Sequence, residues 1–234
     1  FDVKITLPEN YTVGATGNLQ TQSEIERMNR LANEVSSDNT MDFPPSSPNL
    51  KTLHYKQSNV HDFGWFADKR WMVRKGEVEL PASKRKVTTW ALFTQDEKAF
   101  WEEEGIRAIN DGLYYYSLWS GDYPYDVCTA VDGTISAGGG MEYPNVTVIG
   151  NSGNAAQLRT VIVHEVGHNW FYGILGSNER DNAWMDEGIN SFFETRTLMA
   201  SRKDTAMKVG IQIGALDIQK ILGLEKLSYS YLSE

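Results

Sequence analysis

The chain reads as an α+β protein in which a β-rich first part precedes a part built from a helix, two strands and two further helices. Three observations predict this. Strand-like runs crowd into the first 93 residues, helical punctuation appears at Thr94, and two long helical patterns occupy about 155–173 and 183–202. The order strands, helix, strands, helices is that of an α+β domain with a β-rich segment in front of it.

Residues 2–7 alternate polar and apolar, which places Val3, Ile5 and Leu7 on one strand face, and Pro8 ends the run. Similar runs lie at 52–55, 71–80 and 86–93. A polar stretch, roughly 18–49, closes with Phe-Pro-Pro-Ser-Ser-Pro and is expected to hold a short helix around Glu24–Val35 followed by a loop. Thr-Gln-Asp-Glu at 94–97 matches a capping box, so a helix is expected from about Gln95 to about Tyr116. Strands are expected at 125–131 and 145–149, separated by Gly138-Gly139-Gly140. The two long helices come next, joined by a polar turn through Ser177-Asn178-Glu179-Arg180.

Composition narrows the function classes. With 234 residues and 41% hydrophobic content the chain can bury a sizeable core, and 7 Trp, 11 Tyr and 9 Phe argue for a folded protein. The net charge of -9 and pI near 5.0 oppose nucleic acid as a partner. No apolar run is long enough for a transmembrane helix. Cys128 is the one cysteine, so an internal disulfide and a Cys-rich zinc site are both ruled out, and any metal must be held by His and carboxylate. The sequence starts at Phe1 within a strand pattern and is expected to be a piece of a longer protein; it assigns no compartment.

His164-Glu165-Val166-Gly167-His168 lies inside the first long helical pattern. On a helix, positions i and i+4 share a face, so both imidazoles can point at one ion, while Glu165 is offset enough to reach a water held there and act as general base. Chance alone gives this pattern in roughly one chain in 200 of this length. A catalytic zinc takes three protein ligands and keeps a position open, so a third ligand should be near. Glu187 follows His168 after eighteen intervening residues, and an antiparallel return through the 178–180 turn would bring it beside the histidines. Glu194, seven residues on and along the same face, is placed to accept an N–H from a ligating imidazole. His54 and His61 match no ligand spacing and are read as structural or surface residues.

These residues resemble the gluzincin zinc metallopeptidases, and within them the aminopeptidase N family. The spacing H-E-x-x-H, eighteen residues, Glu is matched in full, together with Trp170 and the Trp184 to Gly188 context; the second signature, G-x-M-E-N, appears as Gly139-Gly140-Met141-Glu142-Tyr143, with Tyr in place of Asn. The resemblance implies a thermolysin-like zinc peptidase domain over 83–234, truncated at its C-terminus, preceded at 1–82 by the C-terminal portion of a saddle-like β-rich domain. It implies one zinc per chain on His164, His168 and Glu187. Gly139, Gly140 and Met141 would lie on an edge strand that pairs with substrate backbone, and Glu142 would bind the free α-amine of a peptide, making the enzyme an aminopeptidase. Missing domains of the parent protein would pack on this chain. The family's oxyanion-stabilising tyrosine is expected beyond residue 234, and neither Tyr229 nor Tyr231 is expected to be catalytic. The alternatives are an endopeptidase or epoxide hydrolase on the same scaffold, or a zinc-bearing peptide-binding module without turnover.

Overall fold

A computed structural model describes residues 1–34, 43–135 and 139–201. Its centre is a five-stranded mixed sheet of order β6-β7-β8-β10-β9, made from β6 (Met72–Glu79), β7 (Lys86–Phe93), β8 (Val127–Asp132), β9 (Gly140–Tyr143) and β10 (Val146–Ile149). β7, β8 and β10 run parallel, while β6 and β9 pair antiparallel at the two edges. In front of it stand a three-stranded sheet of β1 (Asp2–Pro8), β4 (Leu50–Lys56) and β3 (Asn18–Leu19), and a two-stranded sheet of β2 (Thr12–Ala15) and β5 (Trp65–Asp68). The mixed α+β architecture is the one expected.

Strand alternation decides what each sheet face buries. Cys128 and Ala130 of β8, Val87 and Ala91 of β7 and Ile149 of β10 point to one side, where they meet α2 (Lys98–Ser120), α3 (Ala155–Gly167) and α4 (Ile189–Ser201). Leu92, Val131, Val146 and Val148 point to the other, against Trp71 and Met28 of α1 (Gln22–Ala32). The anticipated strand face of β1 is real. Ile5 and Leu7 are buried against Leu53 and Tyr55 of β4, with Val3 packed beside them.

The expected boundary at residues 82 and 83 falls in the hairpin turn between β6 and β7, whose strands pair from Met72↔Phe93 to Glu79↔Lys86. The Thr94 capping box does not form. Thr94 instead donates its backbone N–H and its hydroxyl to Asp132 Oδ2 at the end of β8, and Glu97 Oε2 accepts from Ser152 N in the loop after β10, so both side chains are engaged elsewhere and the helix begins at Lys98. α3 is capped as a sequence would like, with Asn154 Oδ1 accepting from Gln157 N at 2.9 Å. Its expected run to 173 stops earlier. Phe171 (ψ 92) and Tyr172 (φ 118) leave helical geometry, and the segment Asn169–Ile174 closes in wider, π-like turns. The second long helix likewise opens with a π-like turn, Trp184–Gly188, before α4. Gly138, Val35, Tyr229 and Tyr231 lie outside the described residues. Among the described residues no helix is long and apolar enough to cross a membrane.

Candidate metal centre

α3 is an apolar helix with Leu158, Ile162, Val163 and Val166 fully buried, and that burial against α2 and the sheet fixes the direction of its few polar residues. His164 and His168, one turn apart, bring their Nε2 atoms to 3.2 Å of each other. Glu187, on the π-like turn before α4, places Oε2 3.0 Å from His164 Nε2 and 3.9 Å from His168 Nε2. The structure thus gathers His164, His168 and Glu187, whose ligand atoms lie within 4.8 Å of one another.

Both rings are oriented from behind. His164 Nδ1 faces Glu194 Oε2 at 2.9 Å, the contact anticipated for Glu194. His168 Nδ1 faces Asp186 Oδ1 at 2.7 Å and the Phe171 carbonyl at 3.1 Å, an acceptor that exists because the chain leaves helical geometry at that residue. When both rings are neutral and each Nδ1–H is directed to these oxygens, the two Nε2 lone pairs converge across 3.2 Å, the arrangement in which one cation can take both. Two nitrogens about 2.0–2.1 Å from a tetrahedral zinc ion stand about 3.3 Å apart. The donor set fits zinc in type and spacing.

Electrostatics point the same way. Burial opposes charge on His168, but its hydrogen bond to Asp186 and the nearby carboxylates of Glu142 and Glu165 outweigh that and lift the imidazole to about 9. His164 is also raised, the hydrogen bond to Glu194 winning over burial. The surrounding carboxylates thus favour positive charge at this pair of imidazoles, whether carried by protons or by a cation. Burial lifts the Glu165 carboxyl to about 7 against the pull of both histidines, and Glu165 Oε2 is buried without a hydrogen-bond partner among the described residues.

β9 runs beside this centre as the edge strand. A Cβ on Gly140 would come within 2.4 Å of Glu165 Oε1, so the bare backbone there leaves the room that the Glu165 carboxylate occupies. Gly139 sits over Val161, and the Met141 carbonyl accepts from Thr147 Oγ1 at 2.9 Å. Glu142 groups with His168 and Asp186, their ligand atoms within 4.8 Å of one another, and burial raises its carboxyl above the ordinary range while His168 pulls it back. Tyr143, where the second signature has Asn, stacks edge-on against Phe66 at 5.7 Å.

Sequence reading missed Asp186, Asn190 and Tyr116. Asn190 Nδ2 donates to the His164 carbonyl at 2.8 Å, and the buried Tyr116 hydroxyl donates to Asn190 Oδ1 at 2.8 Å. A signal was present: Asp186, Asn190 and Glu194 recur every four residues, a polar stripe facing α3. Tyr116 carries no such mark. His54 makes a surface contact with Asp2 at 2.5 Å, and His61 packs edge-on against Tyr172 at 4.5 Å.

No family model matches the chain. A stretch of 57 residues is 37% identical to glutamyl aminopeptidase of Bos taurus, and covers 24% of this chain and 6% of that protein. A stretch of 39 residues is 41% identical to aminopeptidase Q of Mus musculus, and covers 17% of this chain and 7% of that one. Among solved structures, the chain is similar to an M1 zinc metallopeptidase from Deinococcus radiodurans, with a TM-score of 0.61 at 19% identity, covering 92% of this chain and 44% of that one. A mutant of that enzyme bound to a Tyr-Ser-Ala substrate gives a TM-score of 0.60 with the same identity and coverage. This chain therefore spans less than half the length of those structures. Its fold is that of the M1 zinc metallopeptidases. Together with the two sequence matches, it bears out the resemblance carried by the motifs: the chain resembles the aminopeptidase N-like M1 family.

Proposed function

We propose that the chain carries the catalytic site of a zinc-dependent aminopeptidase that removes N-terminal residues from peptides. The observation that carries this reading is the position of Glu142, a half-buried carboxylate on the free edge strand, grouped with His168 at one end of the centre. In an endopeptidase a half-buried carboxylate there would meet no substrate ammonium and would be left without a cationic partner.

His164, His168 and Glu187 would hold one zinc ion. When bound, zinc supplies a Lewis acid that polarises the scissile carbonyl and acidifies water. Glu194 and Asp186 keep both Nε2 atoms turned inward by accepting the Nδ1 protons. Glu165, one residue from His164 and seated over Gly140, would receive the proton of the attacking water on its carboxylate and return it to the leaving amine. Among the described residues β9 is bonded to β10 on one side only, which leaves its other edge for an extended peptide, with Gly139, Gly140 and Met141 beside the backbone and Glu142 at the ammonium. The catalytic unit of this proposal begins at β6 and takes in α2, α3 and α4; the earlier strands form its β-rich flank.

The test is hydrolysis of fluorogenic aminoacyl substrates by the enzyme carrying this sequence, each with a free and an acetylated amine, with and without a chelator. Cleavage confined to free amines and abolished by the chelator is expected. Equal cleavage of acetylated substrates would overturn the aminopeptidase assignment.

A further inference from the structure

We infer that Asn145 is a positioning residue that fixes Glu142 against the His168 end of the centre, using contacts supplied by the β-rich first part of the chain. This rests on the reading of Glu142 as the acceptor of the substrate amine. Asn145 lies three residues after Glu142, in the Pro144–Asn145 turn between β9 and β10, and it is completely buried. Its φ of 50 is left-handed, a conformation that Asn tolerates and most side chains resist.

Every polar group of this residue is engaged, and each bond leads to a different part of the fold. The backbone N–H donates to Asn169 Oδ1 at 2.9 Å, and the carbonyl accepts from Thr129 N at 3.0 Å. Oδ1 accepts from Gly17 N at 2.6 Å, and Nδ2 donates to Gln57 Oε1 at 3.3 Å. The neighbouring Pro144 carbonyl accepts from Thr16 Oγ1 at 2.9 Å, and that hydroxyl accepts in turn from Gly64 N at 3.1 Å. Tyr143 lies over Gly64, where a Cβ would come within 2.7 Å of its ring. Three consecutive residues after Glu142 are thus gripped by the first part of the chain.

The same junction reaches the other side of the centre. Asn169 directly follows His168 and is tied to α3 by Nδ2 donating to the Val166 carbonyl at 2.9 Å. Asn145 therefore stands between the strand that presents Glu142 and the residue behind the second histidine. β9 is only four residues long and, among the described residues, paired on one side, so it has few constraints of its own, and the angle at which it meets α3 is set by this turn. An amine and a carbonyl bound at once demand close tolerance, since displacement by about 1 Å can cost about 10²-fold.

The experiment measures binding rather than turnover. In a zinc-loaded Glu165→Gln background, the affinities of a fluorescent tripeptide with a free or an acetylated N-terminus are measured by anisotropy, alongside zinc content and melting temperature. The background is expected to prefer the free amine. Asn145→Gly, which accepts the left-handed turn but loses both side-chain bonds, and Thr16→Val, which keeps volume and loses the hydroxyl bridge, should each cut that preference by about 10-fold through weaker free-amine binding. Zinc content and the acetylated affinity should not move, and Asn145→Asp, which keeps the acceptor for Gly17, should restore part of the preference. A lowered melting temperature with an unchanged preference in both variants would make the junction merely structural and overturn the inference. If Asn145→Gly does not fold, Thr16→Val decides alone by the same criterion. Loss of preference in Glu142→Gln with full retention in Asn145→Gly sinks this inference and leaves the aminopeptidase reading standing; a background with no preference at all sinks both.

Discussion

Glu165 lies over the bare backbone of Gly140, with one oxygen buried and without a hydrogen-bond partner among the described residues. Two substitutions probe that arrangement. Glu165→Gln keeps the volume and removes the proposed base, so zinc content should be retained while turnover falls by about 10² or more. Gly140→Ala reaches the same end by another path. The new methyl would meet the flexible end of Glu165 rather than backbone, so the fold should persist, zinc should stay and turnover should again fall, by about 10²-fold. Steady-state kinetics with elemental analysis reads both, and undiminished turnover in Gly140→Ala would count against Glu165 as the proposed base. Glu165 itself was legible in the sequence because its neighbours are the two histidines. The reason for Gly140 was not, because close approach to a side chain from another element leaves no mark on local pattern.

Within the α3–α4 pair, one stripe of residues does the orienting. Asp186 bonds His168, Asn190 bonds the His164 carbonyl, and Glu194 bonds His164 Nδ1. Asp186→Asn and Glu194→Gln should each lower zinc affinity by about 10–100-fold while leaving the three ligands intact, as chelator competition would measure. Where the helices meet most closely, a Cβ on Gly167 would come within 2.0 Å of Asn190 Oδ1 and 2.4 Å of the Tyr116 hydroxyl. Gly167→Ala should therefore destabilise the fold by about 1–3 kcal/mol in a denaturant titration, with no ligand changed. Spacing made His164, His168, Glu187 and Glu194 readable. It did not make Tyr116 readable, since its role depends on how α2 crosses α3, nor the end of α3 at Gly167, since the backbone turn at Phe171 and Tyr172 breaks a pattern that still looks helical. Thr94 misled for the opposite reason: a local capping rule lost to Asp132, an acceptor 38 residues away.

At the scale of the molecule, the sheet brings β9, α3 and α4 together so that carboxylates from three elements face two imidazoles. That excess of negative charge sets the pH response. Because Asp186, Glu194 and their neighbours hold the metal-free histidines above the ordinary imidazole range, protons compete with the metal over a wide span. Zinc must displace a proton from each imidazole still protonated, so apparent affinity should rise with pH, by roughly one decade per pH unit per protonated ligand, and acid should release the ion. The fold class was legible because strand and helix periods separate cleanly along the chain; the packing of the first part onto the β9–β10 turn was not, because Thr16, Gly17 and Gln57 meet Asn145 only in three dimensions. The claim on which everything else rests is that His164, His168 and Glu187 together hold one zinc. Elemental analysis of the folded, metal-supplied protein after exhaustive dialysis tests it most directly. About one zinc per chain is expected, falling to a small fraction in His164→Ala, His168→Ala and Glu187→Ala, whereas less than about half an equivalent in the unmutated protein, or full occupancy in any of the three variants, would rule out this ligand set.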